Sequence, residues 1–335
     1  MLELCSATRH SRGWPPWPAT IPCHRLPHQV SAPGSLRRDR GGPISAATAA
    51  RLARPIAAQD SALPIFRLLR PAAAIRADAH RRSAAEETGA PALRVASWNI
   101  HKCVGTDGQF DPGRVTAVIA ELDAELVALQ EVDRRFGRRT ALLDARRLAQ
   151  ETGLVPLPVS DLPDGMGWHG NAILVRPGTT WRLQRLHLPG AEPRGAVVAE
   201  LDLPGGRGPL RVVAAHFGLL RRCRTRQAAA VVAAVARGRD MPTLMMGDLN
   251  EWRLDRQRSA LRGLEPVFRG VAAGVPSFPS RRPFLPLDRI LGCARAPVLA
   301  VEAHDTPLAR TASDHLPLKA LVRLPATVPA LASAA

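Results

Sequence analysis

Apolar residues recur along the chain in short runs, and helical patterns separate these runs. Residues 93–98 alternate apolar and polar side chains, as a half-buried strand does. Asp111 and Pro112 have the identities of a helix N-cap and a first helical residue, and the apolar residues after them are three or four positions apart. Residues 126–130 form a second apolar run. A strand, a helix and a strand in such close succession predict a crossover unit with parallel strands.

The same alternation continues toward the C-terminus. We predict a helix over residues 140–152, closed by Gly153, and another over residues 227–235 after an arginine-rich turn. A short helix is expected over residues 256–262. Strands are expected at residues 172–175, 181–188, 196–203, 210–215, 287–291 and 318–322, with a glycine-rich turn at 204–209. This pattern predicts an α/β fold in which mixed sheets form a sandwich flanked by helices.

The first part of the chain has a different composition. Thirteen arginines and six acidic residues are scattered through residues 1–90 among prolines and glycines, with little sustained periodicity. This composition favours disorder or loose packing, so we predict a low-complexity extension over residues 1–91. The folded domain is expected over residues 92–324, followed by a disordered tail over residues 325–335. A basic arm that contacts nucleic acid or lipid is the alternative for the extension.

The composition is that of a globular protein with a strong excess of arginine. The chain has 335 residues, 46% hydrophobic content and a formal charge of +17. The basic residues are forty-four arginines and only two lysines, Lys102 and Lys319, and tyrosine is absent. This bias is as typical of codon usage as of a basic surface, so the charge alone does not identify a nucleic-acid-binding protein. Arginine does suit bidentate contacts with phosphate.

The cysteines and the hydropathy of the chain indicate the cellular location of the protein. The five cysteines are scattered, odd in number and without a CxxC pair, which predicts reduced thiols in a cytoplasmic protein. No apolar run approaches the roughly 18 to 20 residues that span a bilayer, and no secretory leader is evident. We therefore expect a cytoplasmic protein without a transmembrane segment, with peripheral membrane contact as an open alternative.

Polar side chains stand at the ends of most of the predicted strands. Residues 243–246 form a short apolar run that predicts a buried strand. Asp248 and Asn250 follow it two residues apart, so an extended segment points both to the same side. A local turn is the alternative for this pair. A buried carboxylate is unfavourable unless it is paired or bound to metal, so the whole group is expected to share a cation or a network. Its members are Asn99, Glu131, His216, Asp248, Asn250, Asp288, Asp314 and His315.

Six short motifs include most of these residues. They are Trp98-Asn99-Ile100-His101, Gln130-Glu131-Val132-Asp133, Gly170-Asn171-Ala172, Gly247-Asp248-Leu249-Asn250, Leu287-Asp288-Arg289 and Ser313-Asp314-His315. Together and in this order they resemble the endonuclease/exonuclease/phosphatase superfamily. The resemblance covers about residues 92–324. The residues in and around several motifs are similar to those of a bacterial branch of the superfamily. It implies a four-layer α-β-β-α sandwich of two mixed β-sheets.

The resemblance also implies a reaction, which is hydrolysis of a phosphate ester by in-line attack of water, assisted by Mg²⁺ or Mn²⁺. Oxygen-rich ligands suit Mg²⁺. The implied metal ligands are Glu131, as the main ligand, with Asn99 and Asp314 nearby.

The remaining roles concern the proton and the phosphate. His315 is the implied general base and Asp288 orients its ring. Asp248 and Asn250 orient the attacking water and the phosphate, and His216 contacts the phosphate or assists the leaving group. Asn171 supports the phosphate pocket, and Arg222 and Arg226 are candidate substrate-phosphate ligands. A solvated charge cluster is the alternative for the two arginines.

The substrate stays open between nucleic acid and a phospholipid or other small phosphoester, and no stable protein partner is implied. A lipid substrate would need an exposed apolar rim, for which Phe278, Phe284 and Leu285 are candidates. Two further readings are a catalytically silent module that binds a phosphorylated ligand and, on net charge alone, a basic nucleic-acid scaffold. Salt dependence of DNA binding tests the latter.

Overall fold

The computed structural model describes residues 92–134, 137–255 and 257–325. The predicted extension over residues 1–91 lies outside the described residues, as does nearly all of the predicted tail over 325–335. Within the described part, strands are numbered β1 to β11 and α-helices α1 to α4 in chain order. No helix in this part is long and apolar enough to cross a bilayer.

The first sheet is mixed and has six strands in the described residues. In spatial order these are Val298–Ala303 (β10), Leu318–Val322 (β11), Leu93–Asn99 (β1), Leu126–Gln130 (β2), Ala172–Val175 (β4) and Val155–Pro156 (β3). Strand β1 runs parallel to β2 and antiparallel to β11. Helix α1 (Pro112–Glu121) connects β1 to β2, and the Asp111 side chain accepts a hydrogen bond from Arg114 N at its start. The predicted crossover unit is therefore confirmed.

The second sheet has five strands in the described part of the chain. In spatial order these are Thr180–Leu188 (β5), Arg194–Leu203 (β6), Gly208–His216 (β7), Thr243–Asp248 (β8) and Asp288–Gly292 (β9). Only β7 and β8 are parallel among these neighbours, and helix α3 (Arg221–Ala236) connects them. The parallel pair brings two strand C-terminal ends to the same edge of the sheet.

Three layers of apolar contact hold the domain together. Side chains such as Val95 and Val212 pack between the two sheets in one buried cluster. On the outer face of the first sheet, α1, α2 (Ala145–Thr152) and α4 (Pro307–Ala312) contribute to a second cluster. Helix α3 and the 3₁₀ helix Ala260–Leu264 cover the second sheet. The domain is thus an α-β-β-α sandwich, which confirms the predicted fold class.

Two predicted helices start at other residues in the structure. The helix expected over residues 140–152 begins at Ala145, because the Asp144 side chain accepts hydrogen bonds from the amides of residues 146 and 147. Ala141 instead pairs with Asp133 in an isolated bridge. Gly153 ends this helix with a φ of 66°, as expected.

The arginine-rich segment before residue 227 is helical. Helix α3 begins at Arg221, so the stretch expected to be a turn is its first part, and Cys223, Arg224 and Gln227 are buried there. The short helix expected over residues 256–262 is the 3₁₀ helix Ala260–Leu264, capped by Ser259.

Four short elements were not predicted from the sequence: β3, β10, α4 and the 3₁₀ helix His101–Cys103. Strand β10 is only partly buried along its length, so it lacks the alternation that marks a half-buried strand. Helix α4 had an available signal, since Thr306 caps it and Pro307 is its first residue.

Candidate active site

The ends of three neighbouring strands in the second sheet carry the polar groups. In the strand register His216 of β7 pairs with Asp248 of β8, and Asp248 pairs with Asp288 of β9. All three side chains are buried, with exposed fractions of 3%, 2% and 0%. Three of the strand-end groups expected to converge are therefore adjacent in one sheet.

Close packing of β7 against β8 explains the glycine before Asp248. A Cβ atom at Gly247 would lie 1.8 Å from Ala215 O, and Gly247 has a φ of 151°. Only glycine allows this backbone approach. The approach aligns the ends of β7 and β8, so it places His216 beside Asp248.

Asp288 and His315 form the most direct contact of the site. Nδ1 of His315 lies 2.8 Å from Oδ2 of Asp288, and Ser277 Oγ donates to the same oxygen at 2.5 Å. Trp98 of β1 in the first sheet also contacts His315, since its Nε1 donates to the His315 carbonyl oxygen at 2.9 Å. The Phe278 ring packs on the imidazole with the ring centroids 4.8 Å apart. These contacts fix the orientation of the ring, which is what the sequence analysis required of Asp288.

Asp248 lies at the centre of the cluster. Its Oδ2 accepts a hydrogen bond from Asn99 Nδ2 at 3.1 Å and lies 3.3 Å from His216 Nε2 and 3.8 Å from His315 Nε2. Its Oδ1 accepts a hydrogen bond from Asn250 N at 3.0 Å, and the Asn250 side chain donates to a backbone carbonyl at 3.0 Å. The structure thus joins residues from both sheets around one carboxylate.

Burial and charge shift the pKa values in this cluster. Burial raises the pKa of Asp248 to about 6, with a further rise from Asp288, while His315 opposes the change. Burial alone would lower the pKa of His315, but the charges of Asp288 and Asp248 outweigh it and raise this pKa to about 10. In the metal-free protein at neutral pH, His315 is therefore an imidazolium between two carboxylates.

The predicted metal ligands lie around the turn that follows β1. Glu131 has a φ of 61° at the end of β2, and the Lys102 ammonium contacts its Oε2. Asp314 Oδ1 lies 3.8 Å from His101 Nδ1, and Asn99 Oδ1 accepts a hydrogen bond from His101 N at 3.0 Å. Asn99 therefore contacts both this turn and Asp248.

A second set of metal-ligating atoms lies in the cluster itself. One ligand atom each from Asp248, Asp288 and His315 falls within 4.8 Å of the others. Oδ1 of Asp288 is buried and has no hydrogen-bond partner among the described residues. This Asp/Asp/His group, which could hold a metal ion, differs from the set that the sequence analysis assigned.

The predicted phosphate contacts are arranged differently. Asn171 is fully buried, and its Nδ2 donates to the carbonyl oxygens of Trp168 and Gly195, each at 3.1 Å, so its amide hydrogens are already used by backbone. Arg222 and Arg226 are exposed on α3, and no hydrogen bond or ion pair connects them to the cluster within the described residues. Contact of these three residues with phosphate stays a prediction.

Lys102 and Ser277 were not assigned from sequence, and Phe278 was predicted only for an exposed apolar rim, whereas it and Leu285 are partly buried and Phe284 alone of that set is exposed. Lys102 carries a signal in retrospect, because it is one of only two lysines and lies three residues after Asn99. Ser277 and Phe278 reach Asp288 and His315 from the loop before β9, whose path has no periodic pattern. Their contacts depend on loop conformation, which the sequence does not specify.

The fold and this cluster define a four-layer sandwich protein with a buried acid and histidine centre at one edge. The model of the Endonuclease/Exonuclease/phosphatase family matches residues 96–315, and the chain belongs to that family. Members of this family hydrolyse phosphate esters and generally depend on a divalent metal. A comparison with curated proteins found no match.

Several solved structures share the fold. An endonuclease/exonuclease/phosphatase from Beutenbergia cavernae is 23% identical with a TM-score of 0.51, covering 71% of this chain and 73% of that chain. The mannosyl-6-phosphatase of Bacteroides thetaiotaomicron is 16% identical with a TM-score of 0.55, covering 69% and 100%. TDP2 of D. rerio, complexed with a single-strand DNA product, is 18% identical with a TM-score of 0.52, covering 69% and 99%. These identities show the fold alone.

Proposed function

We propose that this protein is a Mg²⁺- or Mn²⁺-dependent hydrolase of phosphate esters, of the phosphodiesterase or nuclease type. The observation that carries the proposal is the buried group of His216, Asp248, Asp288 and His315, in which each residue lies within 3.8 Å of a neighbour. The catalytic domain is proposed over residues 92–324. Cytoplasmic placement is part of the proposal, supported by the absence of disulfides among the described cysteines.

The cation fits the oxygen donors near Glu131 best. Glu131, Asn99 and Asp314 offer only oxygen ligands, which suit Mg²⁺ and Mn²⁺. When bound, the ion neutralises the negative charge of the phosphate. The Asp248, Asp288 and His315 group suits it less, because Nδ1 of His315 and Oδ2 of Asp288 already contact each other and Ser277 Oγ donates to the same oxygen.

The pKa values suggest how the proton is handled. From sequence, His315 is the general base and Asp248 orients the water. We propose the reverse division, because Asp248 has a pKa of about 6 and is ionised at neutral pH, whereas His315 already carries its proton. Asp248 then accepts the proton of the attacking water, while the His315 imidazolium donates a hydrogen bond to a phosphoryl oxygen. Asp288 retains the positioning role.

His216 and Asn250 complete the proposed machinery. His216 Nε2 faces the same Asp248 oxygen at 3.3 Å, so it is placed to contact the phosphate or the leaving oxygen beside the attacking water. Asn250 fixes the other Asp248 oxygen through its backbone amide. Asn171 would act through the turn that it holds, since Gly170 of this turn packs against the backbone of Glu131.

The test is hydrolysis of a bis-aryl phosphodiester by the pure full chain with Mg²⁺ and with Mn²⁺. We expect chelator, Asp248→Asn and His315→Ala each to abolish turnover. The matched control is Asp202→Asn, which removes an exposed carboxylate at the end of the second sheet opposite His216 and is expected to retain wild-type activity. An inactive wild type across a full metal screen would contradict the proposal. A panel of plasmid, abasic duplex, single-stranded DNA, sphingomyelin and cardiolipin then ranks substrates.

One observation favours the second candidate, a catalytically silent module that binds phosphorylated ligands. The ammonium of Lys102 already neutralises Glu131, so the protein supplies a cation of its own at this carboxylate. Glu131→Gln separates the two candidates. Retained affinity for a phosphorylated ligand, with no turnover by either the wild type or the variant, would favour the silent module.

A further inference from the structure

Large exposed apolar side chains are concentrated on loops that carry catalytic residues. Of the eight such side chains in the described part of the chain, five lie on three of these loops. We call them the rim: Leu219 (61% exposed), Leu220 (44%), Trp252 (47%), Leu254 (45%) and Phe284 (66%). Isolated exposed apolar residues are ordinary, but a contiguous patch marks an interaction surface.

Direct contacts connect the two loops that carry the first four rim residues. Phe217 N donates to Asp248 O at 2.9 Å, and the Asn250 side chain donates back to Phe217 O at 3.0 Å, so the loops after β7 and β8 are tied together. Arg224 then joins the rim residues themselves. Its guanidinium donates to Leu219 O and lies 5.3 Å from the centre of the Trp252 ring.

The rim lies close to the catalytic cluster. Leu219 is three residues from His216 and Trp252 is two residues from Asn250, which places both within about 10 Å of the cluster at the usual length per residue. Phe284 is connected to the cluster through Phe278, because its amide donates to the carbonyl of Phe278, whose ring packs on His315. A surface that covered the rim would therefore present its groups to the cluster.

The charges beside the rim are positive. Arg221, Arg222 and Arg226 are exposed in the first part of α3, and Arg253 is exposed beside Trp252. The first turn of α3 contains no acidic residue, and Leu220 at its N-cap makes no side-chain hydrogen bond. Cations at a helix N-terminus oppose the helix dipole, so an anionic partner would relieve this arrangement.

Carboxylates near the rim are occupied by other groups. Asp255 lies 3.5 Å from Arg258, and Glu192 accepts a hydrogen bond from the amide of Leu219 and pairs with Arg194. The exposed arginines near the rim therefore face outward as a net positive charge beside apolar side chains.

We propose that the rim docks on an anionic lipid bilayer, so that the hydrolysed phosphoester is one presented at a membrane surface. Apolar side chains flanked by arginines are the combination that enters the interface of an anionic membrane. Exposed leucines favour lipid over nucleic acid, because a phosphate backbone offers them no apolar partner. The identity of the substrate rests on the proposed function, whereas docking does not.

The test is sedimentation of the full chain with vesicles of phosphatidylcholine alone or mixed with phosphatidylglycerol. We expect binding to the anionic vesicles, and a loss of roughly tenfold or more in the Leu219→Ser/Leu220→Ser double variant, because leucine burial in the membrane is lost. The matched control is Trp181→Ser, which removes an equally exposed side chain from β5 (48% exposed) and is expected to bind as the wild type does.

Each outcome bears on the proposal. Equal vesicle binding by the double variant and the wild type would overturn it, as would the absence of binding to anionic vesicles. A double variant that loses binding to single-stranded DNA but keeps its binding to vesicles would also overturn it. The double variant is expected to keep its melting temperature and its activity on the soluble aryl diester, and Leu219→Ser alone replaces it if it does not fold. Vesicle binding without hydrolysis of the aryl diester would refute the proposed function but not the docking. Hydrolysis without vesicle binding would refute the docking but not the proposed function.

Discussion

Asp248 and Asp288 are register partners on neighbouring antiparallel strands, and one imidazole, that of His315, approaches both carboxylates. Two buried carboxylates side by side are unfavourable when both are ionised. The imidazolium of His315 offsets this repulsion. The arrangement makes the protonation state of all three residues interdependent, and two predictions follow from it.

The first prediction concerns the stability of Asp248→Asn as a function of pH. The pKa of Asp248 is raised in the folded state from 3.8 to about 6, so the folded protein retains this proton where the unfolded chain has lost it. Stability from this group is therefore present at low pH and is lost as pH rises from about 4 to about 6. The variant lacks this loss, so its free energy of unfolding should gain up to about 3 kcal/mol on the wild type over that window.

The measurement is urea unfolding of both proteins at several pH values in the presence of chelator. Asp202→Asn serves as the control, because it makes the same chemical change at an exposed carboxylate on the end of the second sheet opposite His216. A constant difference between Asp248→Asn and wild type from pH 4 to pH 7 would contradict the prediction.

The second prediction is that Asp288→Asn lowers the pKa of His315. Asp288 is the largest of the charges that raise this pKa to about 10, whereas burial acts in the opposite direction. Without the charge of Asp288, less opposes the effect of burial, so the pKa of His315 falls and its protonated form is less favoured. Stability from a raised histidine pKa is present below the unfolded value of 6.5 and is lost as pH rises through about 10, so the variant should lose this contribution at neutral pH.

Imidazole resonances followed by NMR in chelator report this pKa directly. Ser277→Ala is a useful comparison, because it removes a neutral donor from the same Asp288 oxygen without removing the charge. Its effect on the His315 pKa should be smaller than that of Asp288→Asn. An unchanged His315 titration in Asp288→Asn would show that other groups hold the proton.

Much of the framework could be predicted because local signals agreed with the tertiary structure. The first crossover unit combines an Asp and Pro helix start with two apolar runs, and its strands are found at residues 93–99 and 126–130. Helix α3 was placed too late because arginines in a first helical turn oppose the dipole, and burial of Arg224 against Glu251 outweighs that preference.

The candidate site was predictable to the extent that it lies on strands. His216 and Asp248 end the parallel strands β7 and β8, and Asp288 begins the antiparallel strand β9, so the three residues converge once these strands are neighbours. Contacts made by loops could not be predicted in the same way. Lys102 reaches Glu131 from a turn with a φ of 57°, and Ser277 reaches Asp288 from an irregular loop, so both depend on backbone conformations that have no periodic signature.

The third prediction is that Gly247→Ala strongly destabilises the protein. A Cβ atom would meet Ala215 O at 1.8 Å, and backbone cannot move away without breaking the β7 and β8 pairing. We expect a loss of about 3 kcal/mol or more in the free energy of unfolding, measured in urea. Gly205→Ala is the matched control. It also has a positive φ, 75°, but nothing within 4 Å of the added atom, so it should cost only about 1 kcal/mol.

The last prediction concerns Lys102 and the affinity for metal. The ammonium of Lys102 contacts Glu131, which is the main proposed metal ligand, so Lys102 and the ion compete for one carboxylate. Lys102→Met removes the competing charge and keeps an unbranched apolar chain of similar length. The variant should therefore bind Mn²⁺ several-fold more tightly than the wild type in calorimetric titration, whatever happens to turnover.

Lys319 provides a matched control for this experiment, because it is the other lysine of the chain and lies 3.3 Å from Glu302 at the edge pair of β10 and β11. Lys319→Met changes net charge by the same amount but does not free Glu131, so its affinity for Mn²⁺ should equal that of the wild type. Equal tightening in both variants would assign the effect to net charge. A higher affinity for Mn²⁺ in Lys102→Met but not in Lys319→Met, abolished by adding Glu131→Gln, would assign the ion to Glu131. Among these variants, only Lys102→Met removes the lysine that contacts Glu131.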